Sequence, residues 1–550
     1  MGVLDLMRPT TRLAALALTA MLALGASGST GAQTSRHSYT IPHVMRLATS
    51  EEIPGLNPHL YGQQVVGYLD EMTMAYLLKF DKRNNPRPEL SRNVPTQENG
   101  GISKDGLAIT YHLVRNAKWS DGAPFTADDV EFSFRTVLNP ANNETSRTGF
   151  DQITKIDVPD KFTVIVHLKK PFAAYGPTFF GTAGANPCVL PKHLLGNLPN
   201  INEIPYNALP VGIGPFKFQE WKRGDHVTLV PDPLYFGKKP KLQKIIMKIV
   251  PDRNTTLTLL QTHEIDLWSP IAAQYYDRVQ NLPGISSRKK PGLAYDHMDI
   301  NVSVPGLNDV RVRRALLLAF DRNTVNNKIR RGLGIVQDAY LSPSNPAFPK
   351  NIPTTPFDLN KANALLDSAG WKRGADGVRE KDGKRLEFRY ATTTGTPDTD
   401  QQIEIIRADW EKIGVKIDVQ RYLSSLIFGA KSEGGVLYNS DKWDLINLAW
   451  TSDPLGDMTY LYECDQKPPN GQNVGGYCNP AVDRLLEDWK THYTYSGRQS
   501  DIDRVSRILA QDVPTFTIDF RSDIWAYNAD LTGYDPNNVS KFDDIADVDI

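Results

Sequence analysis

One stretch in the second half of the chain restricts the fold more than any other. Residues 402–414 carry apolar side chains at helical spacing and end in Gly414, a typical signal for the end of a helix. Residues 415–420 then alternate apolar and polar side chains, the pattern of a strand with one buried face. A helix that stops at glycine and leads directly into a strand is typical of α/β proteins. Apolar residues at helical spacing predict further helices over 126–138 and 479–489, and alternating apolar residues predict a strand over 161–170.

Length and charge restrict the architecture and the partners. The chain has 550 residues, and because a domain averages roughly 150 residues, several domain-sized units are expected. Hydrophobic residues make up 40% and charged residues 23%, an ordinary globular composition. The net charge of −1 gives no basic excess that would attract a polyanion, so no nucleic-acid partner is expected.

The first 32 residues have the composition of a secretory signal peptide. Arg8 and Arg12 precede an apolar run over 13–24, which is shorter than the about 20 residues that cross a membrane. Small residues at 30–32 predict cleavage before Gln33, and no cysteine stands there to carry a lipid. A buried helix of the mature fold is the alternative. We expect a signal peptide over 1–32 and a soluble, periplasmic mature protein.

The chain has three cysteines, and two of them bracket one loop. Cys464 and Cys478 enclose a segment rich in glycine, proline and asparagine, and a disulfide is possible in an exported protein. A bridge that closes about 15 residues is worth roughly 3 kcal/mol in the chain-entropy model. Zinc would require a second Cys or His pair, which is missing. Cys188 is predicted to be a buried free thiol.

Catalytic motifs are missing from the sequence. His263-Glu264 lacks the second histidine of a zinc-protease motif, and no nucleophile elbow, P-loop or dinucleotide fingerprint occurs in the mature chain. Asp128 and Asp129 stand at the start of a predicted helix, where the helix dipole favours acidic residues. We therefore expect no enzyme activity, no cofactor and no metal. The acidic last ten residues, 541–550, predict a surface tail.

Five stretches, taken together and in order, carry a family resemblance. They are LNPHL at 56–60, a long block over 86–134 that includes W-x-D-G-x-P-x-T-A-D-D-V, and segments at 211–236, 308–325 and 357–371. They resemble the extracytoplasmic solute-binding proteins of ABC importers, family 5, which includes receptors for dipeptides, oligopeptides and nickel complexes. Ile213 replaces a usual threonine in a loop that we interpret as structural.

The resemblance implies the large type II periplasmic binding protein fold, with two α/β lobes that enclose a ligand between them. Lobe I would comprise residues 33–295, with an inserted subdomain at about 76–210, and a C-terminal return over 520–550. Lobe II would comprise 296–519. Two extended chain crossings, near residues 295 and 520, would form the hinge.

A tryptophan and an aspartate near the end of a predicted strand carry the ligand hypothesis. Peptide-binding members of the family use a W-x-x-D segment whose aspartate pairs with the ligand's α-ammonium, and Trp450, Thr451 and Asp453 match this segment. The alternatives are a turn at Asp453-Pro454 and a core position for the tryptophan. Gln63 and Gln64 are the candidate contacts from lobe I.

The resemblance implies a receptor that binds a peptide or a similar small solute. It would act as a monomer and deliver its ligand to an ABC permease in the inner membrane. An oligosaccharide receptor, with Trp443 and Trp450 stacking on sugars, or a metal-chelate receptor is the alternative within the class. A secreted hydrolase is the alternative from another class, and a turnover assay would separate it from a receptor.

Overall fold

A computed structural model describes residues 36–147, 149–181, 187–394, 397–429, 434–468 and 471–550. The predicted signal peptide and its cleavage site lie outside the described residues.

The strands are distributed over most of the described chain. They are β1 Val44–Thr49, β2 Leu78–Phe80, β3 Pro86–Pro88, β4 Ala108–His112, β5 Ile153–Asp160, β6 Thr163–Leu168, β7 Phe216–Lys222, β8 His226–Pro231, β9 Lys244–Ile249, β10 Leu267–Trp268, β11 Ile285–Ile300, β12 Lys372–Arg373, β13 Arg379–Lys381, β14 Lys384–Arg385, β15 Glu387–Thr393, β16 Lys416–Tyr422, β17 Leu445–Thr451 and β18 Thr515–Asn528.

The α-helices alternate with these strands. They are α1 Gln64–Thr73, α2 Ala127–Leu138, α3 Tyr175–Thr178, α4 Lys192–Leu195, α5 Arg253–Gln261, α6 Tyr276–Val279, α7 Val310–Leu318, α8 Arg322–Ile329, α9 Leu359–Ser368, α10 Pro397–Glu411, α11 Ser424–Ile427, α12 Thr459–Tyr462, α13 Pro480–Thr491 and α14 Tyr495–Asp512. Along the described residues, none of the helices combines the length and the apolarity that a membrane crossing requires.

The local sequence signals give these elements their ends. At the start of α2 the backbone N–H of Thr126 donates to the Asp129 carboxylate at 2.8 Å, the reciprocal bond of a capping box. The Asn479 side chain accepts from the N–H of Ala481 at the start of α13. The helix predicted over 402–414 begins earlier, at Pro397, because proline is well suited to a first helical position.

A mixed ten-stranded sheet, in the order β16-β15-β17-β11-β18-β10-β1-β9-β8-β7, runs through the molecule. Parallel pairs occur on both sides of the sheet, β15 with β16 and with β17 on one side and β1 with β9 and with β10 on the other. The antiparallel pair of β11 and β18 joins the two sides. This arrangement of helices and sheet confirms the predicted α/β class.

Strands β11 and β18 contain the two segments expected to cross between the lobes. Their pairing is regular from Ile285 to Pro291 and resumes at Tyr295 after a register shift. A shift of this kind locally interrupts the ladder and bends the strand. Both segments are therefore extended, as a hinge would require.

Three large apolar clusters fill the protein on different parts of the chain. One draws its members from Met298 to Ile518, and a second draws them from Met45 to Leu267 and again from Trp525 to Ile550. A third lies between Ala75 and Ile213. This grouping has the chain order that the lobe boundaries require, and the boundaries themselves stay a prediction.

The expected acidic surface tail is wrong. Phe542, Ile545, Val548 and Ile550 are buried in the second cluster, and Ile550 is only 1% exposed. The carboxylate of Asp543 forms ion pairs with Arg87 and with Lys79, the latter at 3.7 Å. The acidic residues lie between the apolar ones, so the composition of the segment concealed its buried face.

The structure pairs Cys464 with Cys478 in a disulfide, 14 residues apart in the chain. Cys188 is a free, buried cysteine, and burial raises the pKa of its thiol. A buried thiol with a raised pKa is a poor nucleophile, since the thiolate is the reactive form.

Candidate ligand-binding site

A cavity of about 420 Å³ lies beside the register shift between β11 and β18. Pockets for small ligands commonly have volumes of roughly 300–1,000 Å³. Five segments of the chain supply its wall, which consists of Gly62, Gln64, Gly67, Tyr68, Glu71, Leu293, Ala294, Thr451, Ser452, Asp453, Pro454, Tyr460, Asp523, Asn538, Val539 and Lys541.

Helix α1 presents one face to this cavity. The lining residues Gln64, Gly67, Tyr68 and Glu71 follow one another at helical spacing and therefore lie on one side of the helix. A Cβ atom at Gly67 would meet no atom within 4 Å, so the space beside this glycine is open. Val65, Val66, Leu69 and Met72, on the other faces of the helix, pack into the second apolar cluster.

Asp453 lies just beyond the end of β17 and is half-buried. Its Oδ1 accepts the backbone N–H groups of Leu455 at 2.8 Å and Asp457 at 3.0 Å. Its backbone carbonyl accepts from the Asn345 side chain at 2.7 Å. Asp453 thus has the turn role that the sequence left open. Its Oδ2 accepts no hydrogen bond from the described residues.

The surroundings of Asp453 disfavour its charged form. Burial, together with the negative charge of Asp457, raises the pKa of Asp453 to about 7. A cationic group placed against Oδ2 would lower that pKa again, since an opposite charge favours the ionised carboxylate. Within the described chain no lysine or arginine forms an ion pair with Asp453.

The structure brings three of the sequence-predicted residues to the cavity, namely Gln64, Thr451 and Asp453. Gln63 is the exposed residue immediately before α1 and does not line the cavity. Trp450 packs instead between two aromatic rings, with centroid distances of 6.1 Å to His297 and 6.1 Å to Phe428. Its ring therefore belongs to an aromatic cluster with His297 and Phe428, next to the cavity-lining end of β17.

Trp443 cannot be a platform for a sugar, contrary to the alternative drawn from the sequence. Its side chain is 0% exposed, and its indole N–H donates to the carbonyl of Val436 at 3.1 Å. A ring that is fully enclosed by protein has no face left for a ligand.

Several lining residues were missed by sequence reasoning: Tyr68, Glu71, Tyr460, Asp523, Asn538 and Lys541. One signal was present, because Tyr68 and Glu71 follow Gln64 at the spacing of one helical face. Tyr460 lies in α12, whereas Asp523, Asn538 and Lys541 come from the C-terminal segment, whose position beside α1 depends on pairing that the sequence does not display.

The cavity wall also carries a second charged group, which comes from segments other than that of Asp453. It consists of Glu71, Asp523 and Lys541. One carboxylate oxygen of Glu71 accepts the backbone N–H groups of Lys541 at 2.8 Å and Phe542 at 2.7 Å. The Lys541 ammonium forms an ion pair with Asp523. Burial raises the pKa of Glu71 to about 7, although these hydrogen bonds act in the opposite direction.

Within the described part of the chain, no group of three or more His, Cys, Asp or Glu side chains is arranged to hold a metal ion. The expectation of no metal stays a prediction.

Comparison with known proteins identifies the class. Residues 87–472 match the family described as bacterial extracellular solute-binding proteins, family 5. The oligopeptide-binding protein AppA of Bacillus subtilis (strain 168) is 26% identical over 476 residues, which cover 85% of this chain and 84% of AppA. The oligopeptide-binding protein OppA of Lactococcus lactis is 29% identical and covers 71% of this chain and 70% of its own.

Solved structures show the same fold. AppA from Bacillus subtilis in complex with a nonapeptide matches with a TM-score of 0.75 and 24% identity, over 92% of this chain and 98% of that one. NikZ from Campylobacter jejuni in complex with Ni(L-His) matches with a TM-score of 0.75 and 26% identity, over 93% and 100%. This chain belongs to the family 5 extracellular solute-binding proteins, and the resemblance seen in its sequence is confirmed.

Proposed function

We propose that this solute-binding protein captures peptides and that Asp453 holds their α-ammonium group. The observation that carries the proposal is the half-buried Asp453 carboxylate, which lines the cavity with one oxygen free of partners among the described residues. A buried carboxylate is stabilised by a cation, and a peptide N-terminus supplies one. The oligopeptide-binding relatives support this ligand class.

The end of β17 supports a main-chain mode of recognition. β17 pairs with β11 from Leu445 to Thr451, but with β15 only at Leu445 and Ile446. Beyond Ile446 one edge of the strand therefore faces no other described strand. A peptide added along this edge would bind through its backbone, and side-chain identity would matter less.

We propose further that the protein is exported, works as a periplasmic monomer without chemistry of its own, and delivers its ligand to an ABC permease. Removal of residues 1–32 would leave a chain that begins at Gln33. N-terminal sequencing of the exported protein tests this proposal, and retention of residues 1–24 would overturn it.

We also propose that lobes bounded near residues 295 and 520 close over the ligand, with Leu293 and Ala294 at the bend. Both residues lie in the register shift and line the cavity. Small-angle scattering should show a smaller radius of gyration with saturating peptide than without. An equal radius in both states would contradict closure on binding.

A steric pair of variants tests whether the cavity is the binding site. Gly67→Trp should abolish peptide binding in calorimetry, because the indole would enter the open space beside this residue. Gly67→Ala is the matched control; it should bind normally and gain roughly 1 kcal/mol of helix propensity. Full binding by the tryptophan variant would place the ligand elsewhere.

A turnover assay and a melting-temperature assay distinguish the competing functions. A hydrolase would release products from peptides or glycosides in a turnover assay, whereas a receptor raises its melting temperature with ligand and releases none. If a chelate or an oligosaccharide raises the melting temperature and peptides do not, the peptide proposal is wrong.

A further inference from the structure

The charges on the cavity wall do not balance. Its ionisable residues, tyrosines apart, are three carboxylates, Glu71, Asp453 and Asp523, and one ammonium, Lys541. The Lys541 ammonium is already paired with Asp523. Two carboxylates therefore face the cavity without a cationic partner among the described residues, and Asp453 accounts for one of them under the proposed function.

Glu71 is the carboxylate that remains. It is buried, and the neighbours that donate hydrogen bonds to it are neutral: the backbone N–H groups of Lys541 and Phe542 and the hydroxyl of Ser540. Backbone donors stabilise the charge but do not neutralise it, and an unpaired buried charge is costly. The raised pKa of Glu71 is the expected result of this environment.

Two polar atoms of other residues that line the cavity are also unsatisfied. Tyr68 lines the cavity and is only 8% exposed, and its hydroxyl has no hydrogen-bond partner among the described residues. The Oδ1 atom of Asn538, on the same wall, is buried and likewise unpartnered. Buried polar groups are normally satisfied, so two such acceptors on one wall point to a ligand that donates hydrogen bonds there.

We infer that the cavity selects peptides with a basic side chain close to the N-terminus, which pairs with Glu71 and donates to Tyr68 and Asn538. The inference rests on the proposed function, since it takes Asp453 as the site of the α-ammonium. A lysine or arginine side chain supplies both the positive charge and the several N–H donors that this wall lacks. An acidic side chain at the same position would be repelled.

The test compares two peptides that differ in one charge. Calorimetry should show that Ala-Lys-Ala amide binds at least about tenfold more tightly than the same peptide with an acetylated lysine, because acetylation removes the charge and keeps the length. In Glu71→Gln the difference should shrink below about twofold. Glu52→Gln, an exposed residue outside the cavity wall, is the matched control and should keep the full preference.

The outcomes separate the inference from the function on which it rests. If neither of these peptides nor trialanine binds, the proposed peptide function is wrong and the inference fails with it. If all three bind with equal affinity, or if Glu71→Gln keeps the preference for lysine, only the inference is wrong.

Two further measurements keep the test decisive should Glu71→Gln fold poorly. At pH 7 the lysine peptide should release more protons than its acetylated form, because a cation against Glu71 lowers the pKa of that carboxyl from about 7. Lys541→Met should tighten the lysine peptide, since Asp523 then loses its partner. If Lys541→Met instead weakens peptides with a free C-terminus and spares their amides, Lys541 binds the ligand carboxylate and the inference is wrong.

Discussion

Replacement of Asp453 by asparagine tests the proposed anchor directly. The substitution removes the charge but keeps a carbonyl oxygen at the position of Oδ1, which accepts the N–H groups of Leu455 and Asp457 at 2.8 and 3.0 Å. The turn after β17 should therefore survive. Circular dichroism and a thermal melt of the variant check that it does.

The expected loss of affinity follows from the burial of the pair. Removal of one partner of a buried, hydrogen-bonded charge pair costs about 2–5 kcal/mol, which is roughly 30-fold to several thousand-fold in Kd. With a pKa of about 7, Asp453 is about half ionised in the empty receptor at pH 7, so the measured loss there is about twofold smaller than at higher pH.

Calorimetry with a tripeptide and its N-acetylated form completes the experiment. Acetylation should weaken binding to the native protein about as much as Asp453→Asn does. The two changes together should cost little more than either alone, because both remove the same interaction. Asp457→Asn is the matched control, because Asp457 does not line the cavity. This variant should bind peptide at least as tightly as the native protein, since the charge of Asp457 raises the pKa of Asp453.

Two results would refute this reasoning. Loss of the fold in Asp453→Asn would show that the residue is needed chiefly for its turn. Binding that survives both the substitution and the acetylation would show that the ligand does not offer an ammonium to Asp453, and the chelate hypothesis would then gain support.

Three further predictions follow from the same structure. Affinity for a free-amine tripeptide should fall about tenfold per pH unit below pH 7, as Asp453 takes up its proton, and calorimetry should show no such slope for Asp453→Asn. Glu71→Gln should raise the melting temperature by about 1–2 °C at pH 8 but not at pH 5, because ionisation of this buried carboxyl destabilises the fold only as pH rises from about 4.5 past about 7. Cys464→Ser should cost roughly 3 kcal/mol in urea unfolding, and a reductant should then not lower its stability further.

Local structure was predictable because its determinants lie close together in the chain. Thr126 and Asp129 cap one helix through a reciprocal bond that needs no distant residue. Gly414 adopts a positive φ of 78° between α10 and β16, a conformation that glycine tolerates best. The α/β class and the identity of the strand that ends at Thr451 followed from such signals.

The candidate site was predictable only in part. The W-x-x-D segment led to Thr451 and Asp453, and the turn after LNPHLY led to Gln64, and all three line the cavity. Trp450, on the same segment, packs against His297 because neighbouring strand residues point to opposite faces. A motif names the residues but does not show which face of the sheet each side chain occupies.

The sequence by itself determined the α/β class, the caps at the starts of two helices, which loop carries the disulfide, and which family the chain belongs to. The tertiary structure alone decided that the apolar residues among the last ten are buried and that the backbone N–H of Lys541 donates to Glu71, 470 residues earlier in the chain. The physical reason is that periodicity records the burial of a residue within its own element, whereas the partner that buries it is set by the pairing of distant strands.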